Sequence, residues 1–231
     1  MYKRQHDDYY KKIKDIYIHG VFNNVKLFNV RLFNLLCRYN TLYAPGYQAS
    51  LPPRLFQLLN ETLKVDHEIF ASPFNVTLNK YTSAYLDTDY HFGSKGSFFE
   101  NYGGILKNGG SFEVNPPFIE EHMIITSIII NYMLYTSKNA LSFVIIIPTW
   151  TDSLAYKLLY DSIFNILPDK QLLLNRLHHY YINGGNYELG KIYIKEANNN
   201  TSVFVLQNEE GKKIYPLSKN FIKTFEEFFV I

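Results

Sequence analysis

The run Gly110–Met123, GSFEVNPPFIEEHM, opens as an apolar strand, stops at two adjacent prolines and resumes as the start of a helix. Proline fixes φ and removes a backbone donor, so Pro116 and Pro117 end a sheet ladder rather than extend it. Downstream, Ile119 to about Ser137 has helix length, and Ala140–Pro148, ALSFVIIIP, is a second buried run. A strand, a helix and a strand in that order predict two parallel neighbours in an α/β sheet.

Upstream, HEIFASP (His67–Pro73) predicts another strand, ending at Ser72 and Pro73. The stretch 79–99, NKYTSAYLDTDYHFGSKGSFF, mixes Gly, Ser, Asp and aromatic residues and reads mainly as loop. Residues from Asp15 to about Leu63 read as mostly helical, with apolar spacings of three and four through VFNNVKLFNVRLFNLL and a break at GYQASLPPR. Pro52 and Pro53 stand where a helix over Arg54–Leu63 begins. Toward the C-terminus, Ser153–Leu167 predicts a helix, and the two β-rich segments of KIYIKEANNNTSVFVLQN predict a hairpin around Ala197–Asn200. The expected organisation is a helical segment, 1–63, packed on or beside an α/β domain, 64–231. A parallel sheet with crossover helices and a C-terminal antiparallel hairpin is the layout of Rossmann-like class I methyltransferases, whose ligands lie beyond the carboxyl ends of the strands.

At 231 residues and 47% apolar, the chain can bury a sizeable core. Lysine and arginine number 23 against 21 acidic residues, so no global basic field marks nucleic acid, and any RNA surface must be local. Cys37 is the only cysteine, which excludes an internal disulfide and a cysteine zinc site and predicts a reducing compartment, cytosol or nucleus. The longest apolar run, MIITSIIINYMLY (Met123–Tyr135), falls short of the roughly 20 residues a membrane helix needs. The N-terminus lacks the apolar core of a signal peptide. No histidine cluster has metal-ligand spacing, so no metal is expected.

The residues Asn115, Pro116, Pro117 and Phe118 suit the methylation of an exocyclic adenine amine. That nitrogen shares its lone pair with the ring and is a poor nucleophile. Two acceptors taking its hydrogens turn the lone pair toward a methyl group, and the Asn115 side-chain oxygen and Pro116 carbonyl are the candidates. The two prolines hold both in place, and Phe118 offers a ring for stacking the base. The competing reading is a strand-ending turn with no chemistry. Glu120 and Glu121 read as first-turn carboxylates that complement a helix dipole.

Five segments carry a resemblance: FASPFN (Phe70–Asn75), SAYLDTDYHFGSKG (Ser83–Gly96), GSFEVNPPFIEEHM, LSFVIIIPTW (Leu141–Trp150) and VFVLQN (Val203–Asn208). In this colinear order the chain resembles the phosphorylated-CTD-interacting-factor family of cap-specific adenosine N6-methyltransferases. The resemblance implies S-adenosylmethionine as donor and capped RNA beginning with 2′-O-methyladenosine as substrate. It implies donor contacts at Ser72, Pro73 and Asn75, with Asp87 or Asp89 accepting from the donor and Phe92 and Gly93 lining its adenine. Asp87 and Asp89 also read as turn formers. Lys12, Lys14, Lys26, Arg31, Arg38 and Arg54 are the expected phosphate contacts, or else a solvated face, and Trp150 faces the substrate or packs at the rim. With one tryptophan there is no WW pair, so binding to a polymerase tail is not expected. A compact form without that module suggests a viral or cytoplasmic element, acting in host cytoplasm or virion. Internal RNA or DNA adenine as substrate, and a weakly active RNA-binding subunit, stay open as alternatives, as does a protein partner or homodimer.

Overall fold

A computed structural model of the chain describes residues 2–20, 24–41, 49–184 and 193–229. Two helices come first, Tyr2–His19 (α1) and Phe28–Thr41 (α2). A short strand, Ala49–Ser50 (β1), then leads into Pro53–Leu63 (α3). As Pro52 and Pro53 predict, the helix starts at the double proline. It buries Leu55, Phe56, Leu58, Leu59 and Leu63 and stops at Lys64, whose φ of 57° is left-handed.

His67–Glu68 (β2) and Lys80–Tyr81 (β3) follow, then Leu86–Asp89 (α4), Phe98–Asn108 (α5) and Gly110–Val114 (β4). Next come Glu120–Thr136 (α6), Leu141–Pro148 (β5) and Leu154–Tyr160 (α7). The last elements are Leu172–Leu174 (β6), Tyr180–Asn183 (β7), Tyr193–Glu196 (β8), Thr201–Gln207 (β9), Glu209–Ile214 (α8) and Phe221–Phe229 (α9).

The main sheet has six strands in the order β3-β2-β4-β5-β9-β6. The predicted strand, helix, strand unit is present: β4 and β5 are parallel neighbours, from Gly110 opposite Leu141 to Val114 opposite Ile145. β2 is parallel to β3 and β4, whereas β9 is antiparallel to β5 and β6. Five strands therefore share one direction and β9 alone runs against them. A separate antiparallel sheet has the order β1-β7-β8.

The predicted C-terminal hairpin is not formed. β8 pairs with β7, and β9 pairs with β5 along Ser142–Pro148. Every residue of β9 is buried, so it needs cover on both faces and a strand on each side, which a terminal hairpin with β8 does not supply. The supposed loop at 79–99 carries β3, α4 and the start of α5. The helix expected over Ser153–Leu167 ends at Tyr160, after which Ile166 N–H bonds the Val205 carbonyl at 3.0 Å and the chain joins the edge of β9. Part of the expected break (46–48) and residues 185–190 of the NGGNYELG loop lie outside the described residues.

Each face of the sheet has its own core. α3 and α9 cover one face against Val144, Ile146, Val203 and Val205; α5, α6 and α7 cover the other against Phe143, Ile145, Phe204 and Leu206. The α9 contribution is an aromatic ridge of Phe221, Phe225 and Phe229 at spacings of four. α1 and α2 form a third cluster, in which Ile13, Tyr17, Phe28 and Leu35 close on Phe74 and Phe92. Among the described residues no helix is long and apolar enough to cross a membrane.

Candidate active site

Because β2, β4 and β5 run in parallel, the segments that leave their carboxyl ends emerge on one edge of the sheet: 69–75, 115–118 and Thr149–Trp150. The first is folded by its own side chains. Asn75 Oδ1 accepts from Ser72 N–H at 2.7 Å, Ser72 Oγ accepts from Phe74 N–H at 3.2 Å, and the Ser72 carbonyl accepts from Asn75 and Val76 N–H at 3.2 and 3.0 Å. Ser72, Pro73 and Asn75 are all buried. These three residues shape the loop from within, and the half-exposed surface it offers belongs to Phe70 and Ala71.

The second segment is held from outside. Asn115, only 9% exposed, donates its amide hydrogen to the Ala49 carbonyl in β1 at 3.1 Å, which fixes Nδ2 toward β1 and leaves Oδ1 at the other edge of the amide. Ile119 N–H bonds the Pro117 carbonyl at 2.7 Å and starts the turn into α6. Among the described residues neither Asn115 Oδ1 nor the Pro116 carbonyl accepts a hydrogen bond. Two acceptors thus remain free on adjacent residues of a rigid dipeptide. Phe118 is half-buried, with its ring edge-on to Tyr181 at 6.2 Å.

The small sheet links both loops. Ala49 pairs with Asn183, and Gly184 lies so close to Asn75 that a Cβ on it would come within 2.5 Å of the Asn75 Cβ and 2.9 Å of its Cα. Backbone cannot yield cheaply there. A Gly184→Ala variant is expected to displace the 72–75 loop, weakening donor binding about tenfold, as a loss near 1.4 kcal/mol implies. Equilibrium dialysis against labelled S-adenosylmethionine measures this, and unchanged affinity would mean that the loop does not contact the donor.

The remaining residues expected at a donor site sit apart. Asp87 is exposed and paired with Arg38. Asp89 is fully buried, accepting from Tyr39 Oη at 2.7 Å and Thr88 Oγ1 at 3.0 Å, and burial pushes its carboxyl up from the ordinary range. Phe92 has no exposed surface, because its ring packs on Tyr17 at 5.5 Å within the α1–α2 cluster. Gly93, at φ 94°, ends a 3-10 turn where a left-handed residue is needed. The burial of Asp89 and Phe92 is a consequence of how α1 and α2 seat on the sheet, which local sequence does not reveal.

The basic residues are likewise scattered. Lys12 turns inward: its Nζ donates to the Phe74 carbonyl at 3.4 Å, and burial lowers its pKa against the opposing effect of Glu68. With Gly93 it lines a cavity of about 750 Å³ between α1 and residues 76–79. Arg38 stacks over Tyr85 besides pairing with Asp87. Arg54 donates to the Phe228 carbonyl at 2.6 Å and lies over the rings of Tyr180 and Phe228, tying α3 to α9. Lys14 and Arg31 are half-buried and Lys26 is exposed. Trp150, half-buried, borders a recess of about 430 Å³ with Glu120, Asp152 and Ser153, and Ser153 Oγ donates to Glu120 at 2.8 Å. Of the expected side chains, Asn115 to Phe118, Ser72 to Asn75 and Trp150 are brought to one edge; Asp89, Phe92 and Lys12 are not.

Four contributors escaped the sequence reading: Ala49, Gly184, Glu68 and Glu113. A glutamate inside each of the two segments read as strands, HEIFASP and GSFEV, was the legible signal for the last pair. No signal marked Ala49, whose role depends on a distant strand pairing. Among the described residues no group of His, Cys, Asp and Glu is placed to hold a metal ion.

The sheet edge formed by these segments suits S-adenosylmethionine in its chemistry. Half-exposed apolar groups at Phe70, Ala71, Pro117 and Phe118 match an adenosine and a methionine chain, and the buried hydroxyl of Ser50, next to Ala49, has no partner among the described residues.

Known proteins resemble the chain over most of its length. Residues 12–184 match the family described as Phosphorylated CTD interacting factor 1 WW domain. A human protein named mRNA (2′-O-methyladenosine-N(6)-)-methyltransferase is 33% identical over 215 residues, 88% of this chain and 30% of its own length. The mouse protein of the same name is 35% identical over 190 residues, 78% of this chain and 26% of its own. The chain thus spans about a third or less of the curated relatives it matches.

Proposed function

The chain belongs to the family of phosphorylated CTD interacting factor 1, and from that premise we propose that it is an S-adenosylmethionine-dependent methyltransferase acting on N6 of the 2′-O-methyladenosine next to an mRNA cap. The observation that carries the reading is the pair of unengaged acceptors, Asn115 Oδ1 and the Pro116 carbonyl, at the carboxyl end of β4. Five strands in one direction with a reversed strand next to the edge support a Rossmann-like methyltransferase sheet.

S-adenosylmethionine, when bound, supplies an electrophilic methyl group on a sulfonium. The chain's own residues do the rest. Asn115 Oδ1 and the Pro116 carbonyl accept the two N6 hydrogens and turn the nitrogen lone pair out of conjugation. Ala49 fixes the Asn115 amide so that its oxygen, not its nitrogen, faces the base. Phe118 stacks on the adenine. No strong base is required before attack, because the amine becomes acidic once methylated and then releases its proton to water. The chain acts in cytoplasm or nucleus, or in host cytoplasm if its source is viral. Its RNA surface lies along α1, α2 and the 3-10 turn Val25–Leu27 that leads into α2, where Lys14, Lys26 and Arg31 reach solvent.

The test is methyl transfer by the purified chain to matched RNAs, capped or uncapped, beginning with A or G. Transfer confined to capped RNA beginning with A is the expected result; transfer that ignores the cap would make internal adenine the substrate.

A further inference from the structure

Glu68 of β2 and Glu113 of β4 stand directly opposite each other in register, on one face of the sheet, and are 2% and 1% exposed. Parallel strands lie about 4.8 Å apart, so both side chains leave adjacent backbone positions on the same face, and two neighbouring carboxylates away from water do not both ionise. Their surroundings are unequal. Glu68 accepts Thr77 and Leu78 N–H at 2.6 and 2.5 Å, bonds that favour a carboxylate and anchor the segment between β2 and β3. Glu113 makes no side-chain hydrogen bond among the described residues. Lys12 from α1 and Tyr81 of β3 face Glu68, and Tyr181 of β7 faces Glu113. One cation, one anion and one neutral acid balance the charge.

We propose that Glu68 and Glu113 hold a single proton between them, with Glu113 as the neutral member, and that Glu113 is a positioning residue for the active site. Glu113 precedes Asn115 by two residues, and Glu68 precedes the 69–75 loop. With one proton present, β2 and β4 pack side by side and keep the two loops at a fixed spacing. Loss of that proton sets two anions against each other at the root of both loops. Burial pushes both carboxyls up from the ordinary range, and the charge of Glu68 adds to the rise at Glu113. A carboxyl raised on folding stabilises below its unfolded pKa, and that stability is lost as pH rises through the folded value. The loss therefore falls on the alkaline side. The proton sharing stands on register and burial alone; the positioning role rests on the methyl-transfer reading.

The experiment compares the wild type with Glu113→Gln and Glu113→Ala from pH 5 to 9, measuring the thermal midpoint and the binding of labelled S-adenosylmethionine. Glutamine mimics the neutral acid. The Gln variant is expected to bind donor within about threefold of wild type at pH 6 and to keep that affinity at pH 9, where the wild type loses about tenfold. Its midpoint is expected to gain on the wild type steadily as pH rises. Parallel midpoint curves would overturn the shared proton, and so would a Gln variant that fails to fold. A Gln variant as weak as Glu113→Ala in binding at every pH would overturn the positioning role. Divergent midpoints with no donor bound by any form would instead contradict the methyl-transfer reading, leaving the proton pair intact.

Discussion

Asn115→Ala is expected to lower the rate of methyl transfer by about 10²–10³, the cost typical of removing one preorganised polar group from a reacting centre. Donor affinity should stay within about threefold of wild type, since the amide bonds Ala49 rather than the 69–75 loop. A drop in kcat without a matching change in donor binding therefore distinguishes an orienting role from a structural one. Asn115→Asp sharpens the test. It keeps an acceptor but loses the donor to the Ala49 carbonyl, so its carboxylate meets a carbonyl oxygen at close range. We expect an intermediate rate, because the acceptor survives while the device that aims it does not. If Asn115→Ala retains most of its activity, the acceptor pair is not the catalytic device.

The largest effect on stability is expected at Phe204. Its ring is fully buried in β9 between β5 and β6, edge-on to Tyr156 at 5.7 Å. Phe204→Ala should cost about 3–5 kcal/mol, from lost burial and the cavity left behind. For a chain of this size that lowers the thermal midpoint by roughly 10 °C. A loss near 1 kcal/mol would fit a half-exposed hairpin strand and would contradict the central place of β9.

Phe204 also shows where the sequence could be read and where it could not. Strands β4 and β5 and helix α6 were legible because a double proline and an uninterrupted apolar run are local signals. The segment Thr201–Gln207 was legible as a strand, but its partner was not: Ala197–Asn200 suggested a turn back onto β8, while complete burial of the strand required a place between β5 and β6. The ridge Phe221, Phe225, Phe229 had the spacing of a helix and was passed over among so many aromatic residues. The short strands β1, β2 and β3 have two residues each and leave little periodicity to detect.

The site divides in the same way. The place of Asn115–Phe118 was legible because four consecutive residues with a double proline mark the end of β4 and the approach to α6. Ser72 and Asn75 lie beyond the end of β2, which stops at Glu68 and not at Ser72 and Pro73 as expected, and their side chains are spent on folding their own loop. Asp89 and Phe92 lie in an exposed-looking sequence and are buried only because Tyr39 and Tyr17 arrive from α2 and α1. The bond from Asn115 to Ala49 spans 66 residues of sequence, and no local rule anticipates it.

The most direct measurement is the position of the transferred methyl group. Capped RNA beginning with 2′-O-methyladenosine is incubated with the purified chain and labelled S-adenosylmethionine, digested to nucleosides and resolved by mass spectrometry. Label on N6 of that first adenosine, lost in Asn115→Ala, is the predicted result. Label on the ribose, on a ring nitrogen or on guanine, or none on RNA at all, would contradict the assignment of Asn115 and Pro116 as acceptors for an adenine amine.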